Sequence, residues 1–78
     1  MINIEKYINV FTTRFGVTED AAKLLKYQSI QEWDSIGHMA LMAELEEAFD
    51  IMMETDDIID FSSYEKGIDI LRKYHVEF

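Results

Sequence analysis

Apolar residues near the start of the chain recur at helical spacing. They fall three or four positions apart, on one face of an α-helix: Ile4, Tyr7, Ile8, Phe11 and Phe15. Gly16 follows the last of them, and glycine often ends a helix because it adopts a left-handed backbone without steric cost. The pattern therefore predicts a first helix over residues 3–15.

A second apolar pattern occupies the middle of the chain, just after Asp34-Ser35. Its members also follow helical spacing: His38, Leu41, Met42, Leu45, Ala48, Phe49 and Met52. Three acids flank it: Glu44, Glu46 and Glu47. We predict a second helix over residues 35–49, with Phe49 buried near its end.

Two shorter helices are predicted nearer the C-terminus. Thr55 precedes a run of acids, and a threonine N-cap with acids in the first turn favours a short third helix. Ser62-Ser63-Tyr64-Glu65 has the form of a capping box, in which the glutamate reaches back to the helix start. A shared apolar face made of Tyr64, Ile68 and Leu71 then predicts a fourth helix over residues 63–74.

Residues 17–33 are harder to interpret. Thr18 can cap a short helical stretch through Leu25. The segment from Lys26 to Trp33 has no clear period, which predicts a long, partly ordered loop anchored by Trp33. Since each helix must bury its apolar face against the others, we expect one all-α domain over residues 1–78. It would be an irregular four-helix bundle with a long loop between helices one and two and a short third helix.

Composition narrows the possible partners. Hydrophobic residues make up 49% of the 78 positions, which argues against disorder, and the net charge of −9 repels nucleic acid and anionic lipid. Cysteine is absent, so disulfides and thiolate metal sites are excluded. The sequence contains no secretion-signal pattern and no apolar run that could span a membrane. We expect a cytoplasmic monomer that binds no nucleic acid, does not insert into membranes and favours basic protein partners.

The start of the second helix is the most informative segment. Asp34 can accept backbone N–H bonds there, and the Ser35 hydroxyl would be exposed beside the positive end of the helix dipole. A phosphodiester built on that hydroxyl would lie near free N–H groups, a favourable place for an anion. Taken alone, the pair is more often a simple helix cap.

A larger set of residues is similar to a known family. Asp34-Ser35-Ile36 is followed by Leu41, Leu45-Glu46-Glu47, Phe49, Ile51 and Met53. The likeness extends to Phe15-Gly16-Val17 after the first helix and to Ile68-Asp69 with Leu71 in the last. Together these residues resemble the acyl carrier proteins, whose motif is Asp-Ser-Leu followed by a helix that ends in Leu-Glu-Glu-x-Phe.

The resemblance implies that Ser35 carries 4′-phosphopantetheine, installed from coenzyme A by a phosphopantetheinyl transferase. The thiol of this arm would hold acyl groups as thioesters for fatty acid or polyketide biosynthesis, and the chain itself would not be an enzyme. Asp34 matches the family aspartate that lies near the magnesium ion of the transferase during loading. The further partners implied are acyl-transferring or synthase enzymes with basic docking patches.

Several positions depart from the usual family pattern. Ile36 replaces leucine, Gly37 and Ala40 stand where fatty-acid carriers often have acids, and Glu54 stands where proline is common. The negative patch at the start of the second helix is weakened as a result. These differences bear on the pathway more than on the carrier role. The nearest alternative is an aminoacyl or peptidyl carrier that uses the same arm, and an alternative from another class is an unmodified acidic protein-interaction module.

Other residues have simpler interpretations. Ser35 and His38 are spaced like a nucleophile–base pair, but no oxyanion-hole motif or orienting third group accompanies them, so we expect no catalytic residue. Three acids near the predicted third helix lack the EF-hand pattern and fit a solvated acidic face: Asp56, Asp57 and Asp60. No metal site is therefore expected. Four methionines suit either an acyl-accepting cavity between the second, third and fourth helices or an ordinary core: Met39, Met42, Met52 and Met53.

Overall fold

The computed structural model describes every residue from Met1 to Phe78 and contains five helices and no β-strand. They are α1 (Asn3–Phe15), α2 (Glu19–Ala22), α3 (Ser35–Phe49), α4 (Thr55–Asp60) and α5 (Tyr64–Arg72). The predicted all-α class is confirmed, and α2 is the short stretch that Thr18 caps. No helix combines the length and the apolar character that crossing a membrane requires.

The two longest helices begin and end at the predicted residues. Gly16 ends α1 in the left-handed conformation, with φ of 65°, and its N–H donates to the Thr12 carbonyl at 2.9 Å. Asp34 begins α3, since its carboxylate accepts the Gly37 N–H at 2.8 Å. Asp50, also left-handed, ends α3. Local sequence signals are therefore sufficient to define these two elements.

The capping of α4 and α5 differs from the prediction. Glu54, not Thr55, is the N-cap of α4, and its side chain makes no capping bond. Ser63, not Ser62, caps α5 by accepting the Lys66 N–H at 2.9 Å. This shift of one residue places Lys66 where a capping box needs an acid, so the predicted box does not form.

The C-terminal end of α5 also differs from the prediction. The helix ends at Arg72, two residues earlier than predicted, because the chain turns back on itself there. The Val76 N–H donates to the Leu71 carbonyl at 3.3 Å, and His75 between them has a positive φ of 68°.

An aromatic cluster forms the centre of the core. Tyr7, Phe11 and Trp33 are fully buried, and the Phe11 ring lies 5.0 Å from Tyr7 and 5.7 Å from Trp33, edge to face. Phe15 stacks on Trp33 at 5.5 Å. The Tyr7 hydroxyl donates to the Tyr64 carbonyl at 2.6 Å, and burial strongly raises the pKa of this phenol. Trp33 is thus the hydrophobic anchor of the preceding loop, as predicted.

The segment between α2 and α3 is more ordered than the sequence suggested. Its backbone pairs with the connection between α4 and α5: the Tyr27 N–H donates to the Ser62 carbonyl at 2.8 Å, and the Tyr64 N–H donates to the Leu25 carbonyl at 3.0 Å. Within the loop, the Gln28 N–H donates to the Trp33 carbonyl at 2.9 Å. The loop therefore has a defined position beside the start of α3.

Phe49 packs against the core but is only half-buried, so it is less buried than predicted. Its ring contacts Phe78 at 6.2 Å, and the Lys6 ammonium lies 5.1 Å from the ring centroid. Leu45, one turn earlier, is the last fully buried residue of α3.

Candidate functional site

Ser35 is the first residue of α3 and is exposed to solvent. Its hydroxyl makes no hydrogen bond within the protein, and the backbone N–H groups of Ser35 and Ile36 have no acceptor there. The Asp34 carboxylate satisfies only the next N–H group, that of Gly37. A reactive hydroxyl, two free N–H donors and the positive end of a helix dipole are therefore brought together at one point of the surface.

Gly37 allows the loop to approach this helix start. A Cβ atom at position 37 would overlap the carbonyl oxygen of Glu32, which lies against the first turn of α3. A larger residue would displace the backbone just before Trp33 and Asp34. This contact gives a physical reason for glycine at a position where the resembled family often has an acid.

A mainly apolar groove of about 330 Å³ opens beside Ser35. It lies between the start of α3, the middle of α4 and the loop before α3. Its lining residues are Tyr27, Ser35, His38, Met39, Ile58, Ile59, Phe61 and Ser62. A groove of this size is large enough to hold part of a small ligand.

The four methionines divide between groove, core and surface. Met39 lines the groove and is 55% exposed, whereas Met42 and Met53 are buried in the core. Met52 is exposed and lines no part of the groove. Met39 is therefore the one methionine that lines the groove, and because no residue of α5 lines it, the groove is not the predicted cavity between the second, third and fourth helices.

Both nitrogens of the His38 ring are engaged in hydrogen bonds. Nδ1 lies 2.9 Å from Nε1 of Trp33, and Nε2 lies 2.8 Å from the carbonyl oxygen of Ile58. The ring is 9% exposed. Taking a proton from Ser35 would require one of these bonds to break, so the geometry does not favour a nucleophile–base pair. Sequence reasoning missed both partners of His38, since helical periodicity carries no signal for a contact between elements.

The acids that flank α3 and the acids of α4, which were predicted to form a solvated face, have different environments. Glu44 is paired with Arg14, and Glu46 accepts the Met53 N–H at 2.8 Å. Asp57 is buried and accepts hydrogen bonds from Lys73 and Tyr74, so its predicted exposure is wrong.

The hydrogen bonds from Lys73 and Tyr74 lower the pKa of the Asp57 carboxyl below its ordinary value. Of the six acids that flank α3 or belong to α4, three remain solvent-exposed and outside any ion pair: Glu47, Asp56 and Asp60. The acidic surface near α4 is therefore smaller than the sequence indicated.

Two exposed apolar residues lie near Ser35, one next to it in the sequence and one in the groove beside it. Ile36 follows the serine directly and is 80% exposed, and Ile59, which lines the groove, is 71% exposed. Trp33 is fully buried and does not line the groove, so it is not placed to flank a group attached to Ser35.

No cluster of three or more histidine or acidic side chains is positioned to hold a metal ion. Comparison with protein-family models, with curated proteins and with solved structures found no match to this chain.

Proposed function

We propose that this chain is an acyl carrier protein that holds its cargo on a 4′-phosphopantetheine arm attached to Ser35. The observation that carries the proposal is the environment of the Ser35 hydroxyl. It is exposed, makes no hydrogen bond within the protein and lines an apolar groove at the start of a helix. The likeness of the surrounding sequence to acyl carrier proteins agrees with this geometry.

The residues present fit a phosphodiester at this position. The free N–H groups of Ser35 and Ile36 can donate to its oxygens, and the helix dipole favours its negative charge. The Asp34 carboxylate accepts the Gly37 N–H and keeps the first turn in place. When bound, the arm supplies a thiol that carries acyl groups as thioesters.

Attachment needs only the Ser35 hydroxyl from this chain. The serine oxygen forms a new bond to phosphorus, a phosphorus–oxygen bond within the pyrophosphate of coenzyme A breaks, and adenosine bisphosphate leaves. The serine proton passes to the transferase or to water. His38, whose two nitrogens are hydrogen-bonded, takes no part in this step.

The partners proposed are a phosphopantetheinyl transferase and acyl-transferring or synthase enzymes with basic docking patches. Three exposed acids that lack ion pairs offer the charge for this docking: Glu47, Asp56 and Asp60. A net charge of −9 also steers basic partners from a distance. An aminoacyl or peptidyl carrier would use the same arm, and the enzymes that accept the loaded protein distinguish the two.

The test is the intact mass of the protein after incubation with coenzyme A and a promiscuous phosphopantetheinyl transferase. Ser62 provides a matched control, since it is an exposed serine that lines the same groove. We expect one phosphopantetheinyl group on wild type and on Ser62→Ala, and none on Ser35→Ala. No gain on the folded wild type would contradict the proposal and favour an unmodified acidic interaction module.

A further inference from the structure

Apolar burial contributes little to the attachment of α4. The helix has six residues, and its one buried side chain is the carboxylate of Asp57. Ile58 is partly buried, and Ile59 is 71% exposed. Directional polar contacts therefore have more influence on the position of α4 than on that of the larger helices.

One of these contacts comes from His38 on α3. The indole of Trp33 can only donate a hydrogen bond, so the Nδ1 atom of His38 must accept it and carries no proton. The proton of the neutral ring then lies on Nε2, which donates to the Ile58 carbonyl. This carbonyl lies in the last turn of α4, where it has no helical N–H partner. The histidine thus donates a hydrogen bond to a carbonyl group at the end of α4 that has no other partner.

We propose that His38 is a positioning residue that holds α4 over the groove beside Ser35. A single imidazole joins the loop at Trp33 to α4 at Ile58, and it lines the groove itself. We call these two hydrogen bonds the His38 bridge. When the bond to Ile58 breaks, α4 loses this link to α3 beside the groove and is held by the hydrogen bonds of Asp57 to Lys73 and Tyr74. The His38 bridge forms whether or not Ser35 carries a group. Any effect of the bridge on a cargo chain in the groove rests on the proposed function.

The alternative is that His38 only fills space in the core. Two variants separate these roles. In His38→Phe the aromatic bulk remains, but the Trp33 N–H and the Ile58 carbonyl lose their partner. In His38→Gln a side-chain amide can still accept from one and donate to the other. If His38 only fills space, His38→Phe should keep the α4 amides closer to their wild-type exchange rates than His38→Gln does. If the His38 bridge holds α4, His38→Gln should keep them closer.

The first experiment records the ring nitrogens of ¹⁵N-labelled wild type by NMR at neutral pH. His75 is a matched control, since it is exposed and its ring makes no hydrogen bond. We expect His38 to show only the tautomer with the proton on Nε2, and His75 to show averaged signals. A proton on Nδ1 of His38, or averaging like that of His75, would overturn the proposal. This measurement does not require any variant to fold.

The second experiment measures amide hydrogen exchange in the unmodified protein. In His38→Phe we expect the α4 amides, including that of Ile58, to exchange at least about fivefold faster than in wild type, because a buried donor and acceptor are left unpaired. In His38→Gln the rates should stay closer to wild type, and the α1 amides should change less in both. Equal α4 rates in all three proteins, or equal acceleration of α1 and α4, would overturn the proposal. Neither result depends on whether Ser35 accepts phosphopantetheine.

Discussion

The aromatic core around α1 and the region around α4 are stabilised in different ways. In the core, Tyr7, Phe11 and Trp33 are fully buried and contact several rings each. Around α4, Ile59 is largely exposed, and the helix is held by hydrogen bonds to Asp57 and to the Ile58 carbonyl. Non-directional packing holds the first region and a few directional bonds hold the second.

This difference matters for function because Ser35 lies at the boundary of the two regions. The loop that reaches it is anchored in the core by Trp33, and the contact between Glu32 and Gly37 fixes the first turn of α3. The groove on its other side has α4 as one wall. Ser35 therefore lies at a helix start fixed by core contacts, beside a groove wall that is held by a few hydrogen bonds.

The largest effect is expected for Phe11→Ala in the core. Removing a fully buried phenylalanine typically costs about 3–5 kcal/mol, which is a large part of the stability of a small domain. Phe49→Ala is the comparison, and its effect should be smaller because Phe49 is half-buried. Chemical denaturation of both variants measures the difference. Equal midpoints would show that the two rings contribute equally and that the core is not centred on Phe11.

Gly37→Ala should be destabilising, by roughly 1–3 kcal/mol, because the added Cβ overlaps the Glu32 carbonyl. On an open helix surface the same substitution would be stabilising by up to about 1 kcal/mol, so the sign of the change is informative. Thermal denaturation gives that sign. A more stable variant would mean that the loop does not contact α3 at this point.

Asp57 should stabilise α4 in a pH-dependent manner. Its pKa is lowered in the folded protein, so its stabilisation is fully present above the ordinary aspartate value of about 4 and is lost as the pH falls through the lower folded value. Asp57→Asn should therefore be less stable than wild type at neutral pH, and the difference should disappear in acid. Denaturation across a pH series tests this, and a pH-independent difference would contradict the assigned role of the carboxylate.

The smallest effect on stability is expected for Glu47→Lys, within about 0.5 kcal/mol, because Glu47 is exposed and unpaired. The substitution should instead weaken docking to the transferase. Loading by the transferase should be slower and less sensitive to salt than in wild type, since attraction between surface charges is screened beyond about 8 Å at physiological ionic strength. Glu65→Lys, an exposed acid on α5, is the control. Equal rates and salt slopes for all three proteins would place the docking surface elsewhere.

The sequence predicts the regions dominated by local signals well. The apolar period, Gly16 and Asp34 define α1 and α3 to the residue. It predicts the α4 region less well, because the partners there lie far apart in the chain. Asp57 meets Lys73 and Tyr74 across 16 and 17 residues, and His38 meets Ile58 across 20. Helical periodicity in the sequence carries no information about such contacts, so the burial of Asp57 and the His38 bridge could not be predicted.

Modification of Ser35 is tested most directly by locating the added group within the chain. Wild type is incubated with coenzyme A and transferase, and the intact ion is then fragmented in the mass spectrometer under conditions that preserve the phosphodiester. We predict that N-terminal fragments ending at Asp34 have their unmodified mass and that those including Ser35 carry one phosphopantetheinyl group. An unmodified chain, or an added group that first appears at Ser62, would contradict it.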